Sequence, residues 1–230
     1  SSDLGIVTEV GSDAGTEFKV GDEVFGTNDV NFGANAEYVA VSSDFAITKM
    51  PPSKRNVDKN KRMAEYGALS FGGLTSLYFL RDMATLVKGD KVLIVGASGS
   101  LGTFGIQLAK YYGAHVTAVC SGKNEKLVRS LGADDFVDYT KSNDVTEWGG
   151  NENRKYNYIY DTVGKVKFAD AKEIMTENGQ LLAAAFESMG VLCKILANTM
   201  FGRGKQKFRT GTPSIGNDSK KDLEFFQTFS

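Results

Sequence analysis

The chain has 230 residues, a hydrophobic share of 41% and a formal net charge of −1. That is apolar material for a core of one to two ordinary domains, and the balanced charge excludes a chain that recruits nucleic acid or an anionic membrane through a broad electrostatic field. Two cysteines, Cys120 and Cys193, and one histidine, His115, argue against a disulfide framework and against a Cys/His zinc cluster. No apolar run of about 18 residues occurs, so no membrane span is expected.

Residues 1–50 read as short strands between glycine turns. The segments 6–10, 18–20, 23–25, 36–41 and 45–49 carry β-branched or aromatic residues bounded by turn formers. About 50 residues of strand make a thin core, so partner strands from upstream sequence or another molecule are expected. Residues 51–62 open on Pro51-Pro52, are polar, and read as a loop or linker. A helical pattern then runs over 63–87, through a small-residue stretch at 67–75, and Lys88-Gly89-Asp90 reads as a turn.

The sequence KVLIVGASGSLGTFGIQLAK, at 91–110, is the most informative stretch. Residues 92–95 form an apolar run of strand length. Gly96, Gly99 and Gly102 follow at intervals of three, and Leu101, Gly105, Leu108, Ala109 and Tyr112 then recur at helical spacing. Strand, glycine turn and helix bring free backbone N–H groups to a helix N-terminus, where the dipole and the amides together hold the pyrophosphate of a dinucleotide.

Strands and helices then alternate. Strands are expected at 116–120, 135–139, 156–161 and 181–185, with a sixth over 208–212. Helices are expected at 124–131, at 168–175 with Asn178-Gly179 as its terminator, at 191–200, and around Leu223, Phe226 and Phe229. Alternating βα units imply a doubly wound parallel sheet of Rossmann type, an α/β fold with ligands at the carboxyl ends of its strands.

An NAD site usually carries an acid at the end of the second strand, about 20 residues after the glycine turn. Here that end reads Cys120-Ser121-Gly122-Lys123-Asn124, with no carboxylate. A hydroxyl, a cation and an amide suit the 2′-phosphate of NADP, which an acid would repel. The structural alternative is that Ser121-Gly122 is only a turn and Asn124 only the N-cap of the next helix.

The joined motifs GASGSLGTFGIQLAKYYGAHVTAVCS, LVRSLGADDFVDYT and YDTVG resemble the zinc-independent quinone oxidoreductase (zeta-crystallin-like) branch of the medium-chain dehydrogenase/reductases. The front half agrees: GIVTEVG, FKVGDEVFG, AEYVAV and GGLTSLYFL are similar to that family's GroES-like barrel and the segment joining it to the nucleotide domain. The resemblance implies a partial GroES-like catalytic domain over 1–50, a linker and connecting helix over 51–90, and an NADP-binding Rossmann domain over 91–230. It implies NADPH as cofactor, and a quinone or an alkene conjugated to a carbonyl as the small-molecule substrate. It also implies hydride transfer without a metal, and a possible homodimer.

Matched residue by residue, Ser98, Gly99, Ser100, Leu101 and Gly102 fall on the family's pyrophosphate turn. Ser121, Lys123 and Tyr139 fall around the adenosine 2′-phosphate, Thr75 near the nicotinamide, and Asp161 and Thr162 on the cofactor cleft. Family members carry a further barrel segment before the position of Ser1 and strands after the last helix, so truncation at both ends is expected. Phe186-Glu187-Ser188-Met189 matches no pattern of the family, and no catalytic residue is assigned. A cytoplasmic location is expected, with an organelle left open. The alternatives are an NADPH-binding structural or regulatory protein with little turnover and, last, a zinc-type alcohol dehydrogenase, for which the Cys/His ligands are lacking.

Overall fold

The computed structural model describes residues 2–12, 17–27, 36–43, 46–52, 58–149, 155–185, 205–211 and 217–227. The chain divides into two compact units, Ser1–Leu74 with Pro213–Ser230, and Thr75–Thr212.

The first unit holds a three-stranded antiparallel sheet of β1 (Ser2–Ile6), β2 (Glu23–Thr27) and β3 (Ile47–Lys49), in that order. Gly26 faces Ile47, and a side chain there would reach within 2.1 Å of the Ala46 carbonyl, so the strands meet where only glycine fits. Phe25 is fully buried and packs its ring against Tyr66 at 4.9 Å. Tyr66 belongs to α1 (Lys59–Ala68), which starts where the Asp58 carboxylate accepts from the Lys61 amide. α6 (Asn217–Gln227) buries Leu223 and Phe226, and the Phe226 ring lies against Gly73.

Several expectations for this part need correction. The first strand is 2–6, not 6–10, and residues 18–20 are not a strand. Residues 36–41 are not a strand either: this backbone forms no ladder with any described residue, and Tyr38 is 74% exposed. The polar stretch 51–62 is not all loop, because Asp58 caps a helix that already includes Lys59. Beyond α1 the helical path continues as a π-helical turn at Leu69–Gly73, α2 (Leu74–Leu77) and a second π-helical turn at Tyr78–Met83.

The second unit is built on a six-stranded parallel sheet. Its strands are β4 (Lys91–Val95), β5 (His115–Cys120), β6 (Asp135–Asp138), β7 (Tyr156–Asp161), β8 (Met175–Ala183) and β9 (Lys207–Thr210), in spatial order β6-β5-β4-β7-β8-β9. The chain winds outward from β4 through β5 and β6, then returns to β7 on β4's other side. The strand order therefore reverses between β4 and β7, where a parallel sheet opens a crevice for ligands. Residues 92–95 are all buried, as a strand covered on both faces requires.

On one face, α3 (Ser100–Tyr111) lies close to the sheet because Gly105 has no side chain to hold it off the Tyr160 ring and Ile94. The shorter α4 (Glu125–Ser130) follows β5 and buries Val128. On the opposite face Leu93, Val119, Ile159 and Leu181 share a core with Trp148, Tyr156, Phe168 and Phe208. The Tyr156 hydroxyl donates to the Trp148 carbonyl at 2.7 Å, which satisfies the phenol inside that core.

The alternation read from the sequence is present, with one structural correction. α5 (Phe168–Ile174) ends at Ile174, and Asn178-Gly179 lies within β8 instead of terminating the helix. Met175 pairs with Tyr156 but Gln180 pairs with Tyr158, so 176–179 form an excursion opposite a single β7 residue. Turn-forming residues are where the strand needs them; the turn belongs to a bulge. The helix expected at 191–200 and the unmatched residues 186–189 lie outside the described residues, as does Phe229.

Candidate functional site

At the carboxyl end of β4 the chain makes its glycine turn. Gly96 has φ +77°, and a Cβ there would lie 2.4 Å from Val163 Cγ2 and 2.5 Å from Thr162 Oγ1. The Gly96 and Ala97 amides both donate to the Val119 carbonyl at 3.1 Å, tying the turn to the end of β5. Gly99 is the N-cap of α3 and supplies no side-chain cap. The Ser100, Leu101 and Gly102 amides, at the first three helical positions, thus have no intrahelical acceptor. Gly102 packs against this turn, 2.4 Å from the Gly96 carbonyl if a Cβ is added, while Gly99 and Ser100 are exposed. A 12-residue helix with an open, glycine-lined N-terminus fits a pyrophosphate.

The ends of β5 and β6 lie beside it. Cys120 pairs with Asp138, so Ser121 and Tyr139 each stand one residue beyond a paired strand end. Ser121 is half-buried, Tyr139 is 47% exposed, and exposed Lys123 makes no ion pair among the described residues. The 121–124 turn is held on two sides. Asn124 Nδ2 donates to Ser98 Oγ at 3.0 Å and to Ser121 Oγ at 3.3 Å. Gly122 stands against Asp138, whose Oδ2 would be 2.5 Å from a Cβ at that position. The Thr140 hydroxyl first, then the Thr140 and Gly122 amides, hold the Asp138 carboxyl below its ordinary range. Asn124 is the N-cap of α4, but its side chain caps nothing and reaches across to the glycine turn instead.

No carboxylate stands at the end of β5 itself; Asp138 comes to that end from the neighbouring strand. The register that aligns Cys120 with Asp138 is what brings it there, and sequence spacing from the glycine turn does not reveal it.

Two further residues sit where β7 ends. The Asp161 carboxylate is buried, with Oδ1 accepting from the Val163 and Gly164 amides and Oδ2 from the Val166 amide. Its oxygens shape the following turn. The Thr162 hydroxyl donates to the Val95 carbonyl at 2.7 Å and packs over Gly96. Thr75 is buried in α2, and the next residue, Ser76, donates to the Leu101 carbonyl in the first turn of α3. Sequence reading missed Ser76, Asp138 and the bridging role of Asn124. Of these, only Asn124 carried a local signal, its closeness to Ser121.

Thr75, 98–102, 121–124, Tyr139 and 161–162 therefore all belong to one compact unit, and all but Thr75 lie at or just beyond the carboxyl ends of β4, β5, β6 and β7. Among the described residues, no group of three or more His, Cys, Asp or Glu side chains could hold a metal ion.

A parallel sheet that reverses its order beside a glycine turn defines a Rossmann-type unit. The chain belongs to the medium-chain dehydrogenase/reductases, in the family described as zinc-binding dehydrogenase, whose model matches residues 100–227. It is 33% identical over 184 residues to the chloroplast envelope quinone oxidoreductase homolog of Arabidopsis thaliana, covering 77% of this chain and 53% of that protein. It is 38% identical over 165 residues to the human protein named NAD(P)H oxidoreductase RTN4IP1, mitochondrial, covering 70% of this chain and 39% of that one. In fold it is similar to the quinone oxidoreductase of Coxiella burnetii, with a TM-score of 0.76 at 22% identity, over 98% of this chain and 65% of that one. The chain thus spans about half or less of the length of these curated relatives. No helix among the described residues is long and apolar enough to cross a membrane.

Proposed function

We propose that the chain carries the cofactor half of an NADPH-dependent reductase acting on quinones or α,β-unsaturated carbonyls without zinc. The observation that carries this reading is the joining of two features in one site: an open helix N-terminus after the glycine turn, and Ser121 with Lys123 beside it. The first offers amides to a pyrophosphate. The second offers a hydroxyl and an ammonium that makes no ion pair among the described residues to a 2′-phosphate, and the nearby Asp138 carboxylate is already engaged by three donors. A relative named as a quinone oxidoreductase homolog and another named as an NAD(P)H oxidoreductase support the same class.

When bound, NADPH would supply the hydride for a two-electron reduction, with uptake of one proton. The residues of this chain bind and orient. The first turn of α3 would fix the pyrophosphate, Ser121, Lys123 and Tyr139 the adenosine end, and the Asp161–Thr162 turn and Thr75 the side toward the nicotinamide. The names of the relatives also point to a chloroplast or mitochondrion as a possible location.

The test is titration with NADPH and with NADH, followed by NADPH oxidation in the presence of a simple quinone and a simple enone. Preferential NADPH binding with turnover of either acceptor is the expected result. Tight NADPH binding with no oxidation by either would leave a binding protein and remove the reductase reading. Equal affinity for NADH would remove the role given to Ser121 and Lys123.

A further inference from the structure

Asn124 is chemically unusual in this site because both of its amide protons are used within the protein. One goes to Ser98 Oγ in the glycine turn, the other to Ser121 Oγ at the end of β5. Each serine oxygen therefore accepts, and each hydroxyl keeps its own proton to give elsewhere. Ser98 also meets the buried Cys120 sulfur, so its hydroxyl has a second protein neighbour. The Ser121 hydroxyl donates to no described residue.

The bridge spans two different ligand-facing segments. Ser98 belongs to the turn after β4, Ser121 to the turn after β5, and 26 residues separate Ser98 from Asn124 in the chain. On its other side the same turn is held by the Gly122 amide on Asp138. With both ties made, the position of Ser121 is set before any ligand arrives, which lowers the ordering cost of binding.

We propose that Asn124 is a positioning residue for cofactor choice: it does not contact the 2′-phosphate but turns the Ser121 hydroxyl into a fixed donor for it. This replaces the sequence-based expectation that the Asn124 amide itself faces the phosphate, and it rests on the NADPH reading above. A ligand with a 2′-hydroxyl in place of the phosphate offers the Ser121 proton only a weaker, neutral acceptor, so the bridge matters far more for NADPH than for NADH.

The experiment is a double-mutant cycle on the full chain, with dissociation constants for NADPH and NADH measured by equilibrium titration, independent of turnover. Ser121→Ala should weaken NADPH about ten-fold, as expected for one lost hydrogen bond to a charged group, and leave NADH within about two-fold. Asn124→Ala should do the same. The double variant should lose no more than either single one, because Asn124 acts through Ser121. Asn124→Ser keeps an N-cap residue at the start of α4 while its short arm cannot span both hydroxyls, and it should behave as Asn124→Ala does. Thermal unfolding of each apo variant checks that the fold is kept.

Losses that multiply in the double variant would overturn the inference, since Asn124 would then contact the ligand itself. So would equal weakening of NADPH and NADH by Asn124→Ala, which is the mark of a scaffold role. If Ser121→Ala leaves the NADPH to NADH ratio unchanged, the 2′-phosphate reading itself fails. If Ser121→Ala lowers that ratio and Asn124→Ala does not, only the positioning role fails.

Discussion

The Ser76 hydroxyl donates to the Leu101 carbonyl across 2.9 Å, and the Tyr160 phenol lies 3.3 Å from Ser76 Oγ. Ser76 is fully buried, and burial pushes the Tyr160 phenol far up, so Tyr160 stays a neutral donor to Ser76. A residue beside Thr75 therefore sets the first turn of α3 directly, and the central strand β7 supports it from below. Ser76→Ala should cost about 1–3 kcal/mol of unfolding free energy, because it leaves the Tyr160 hydroxyl without its partner. Urea denaturation measures this loss. NADPH and NADH affinities should fall together, unlike the split expected at Asn124.

Gly96 and Gly99 should respond differently to the same added methyl. At Gly96 an alanine meets both a left-handed backbone and a collision with Thr162 and Val163. The backbone alone costs about 1–2 kcal/mol. Gly99 has φ −81°, with only the Gly96 carbonyl close, at 3.3 Å. Gly99→Ala should therefore leave the denaturation midpoint nearly unchanged but weaken dinucleotide binding, since its methyl enters the space in front of the helix. A large stability loss in Gly99→Ala, or none in Gly96→Ala, would contradict this account of the turn.

Asp161 is expected to behave as a structural acid. Its two oxygens satisfy three backbone amides, and Asp161→Ala removes all three acceptor contacts at once. The buried Val166 amide left without a partner costs about 1–3 kcal/mol, and the two part-buried amides of Val163 and Gly164, which water can reach, add less, so the variant should unfold at lower urea. A folded Asp161→Ala protein of near-normal stability would show that the 162–166 turn has another source of order.

At the opposite end of the sheet, Asp134 ties Lys110 to the start of β5. Burial would raise its carboxyl, but the Lys110 ammonium at 2.8 Å, the Val116 amide at 2.7 Å and the nearby His115 hold it below the ordinary range. A carboxyl with a lowered folded-state pKa stabilises the protein above its unfolded value of about 3.9, and this contribution is lost as pH falls through the folded value. Unfolding midpoints measured from neutral pH down to about pH 3 should fall less steeply in Asp134→Asn than in the parent. A parallel decline in both would mean that other acids carry the acid-side loss.

The parallel sheet was legible because its strands are short apolar runs punctuated by glycine, and because both faces are covered. Residues 92–95 and 156–161 needed no tertiary information. The Asn178-Gly179 pair misled because the same dipeptide ends helices and makes bulges, and only pairing with Tyr156 and Tyr158 decides between them. Residues 36–41 have strand composition, yet β structure depends on a neighbour, and composition does not supply one. Within the site, the glycine turn was local and visible. The Asn124 bridge, the Ser76–Tyr160 contact and the approach of Asp138 to Gly122 join residues brought together by strand register, which no spacing rule contains.

The double donation from Gly96 and Ala97 to the Val119 carbonyl, with the Thr162 amide on the Val95 carbonyl, has a consequence for solvent exchange. Glycine-rich loops usually trade their amide protons quickly. Here these three amides are extensions of the central ladder, so they should exchange only when β4 separates from β5 and β7. Deuterium uptake should therefore be slow at Gly96, Ala97 and Thr162 and fast at Ser100 and Leu101, a boundary that falls within five residues of one loop.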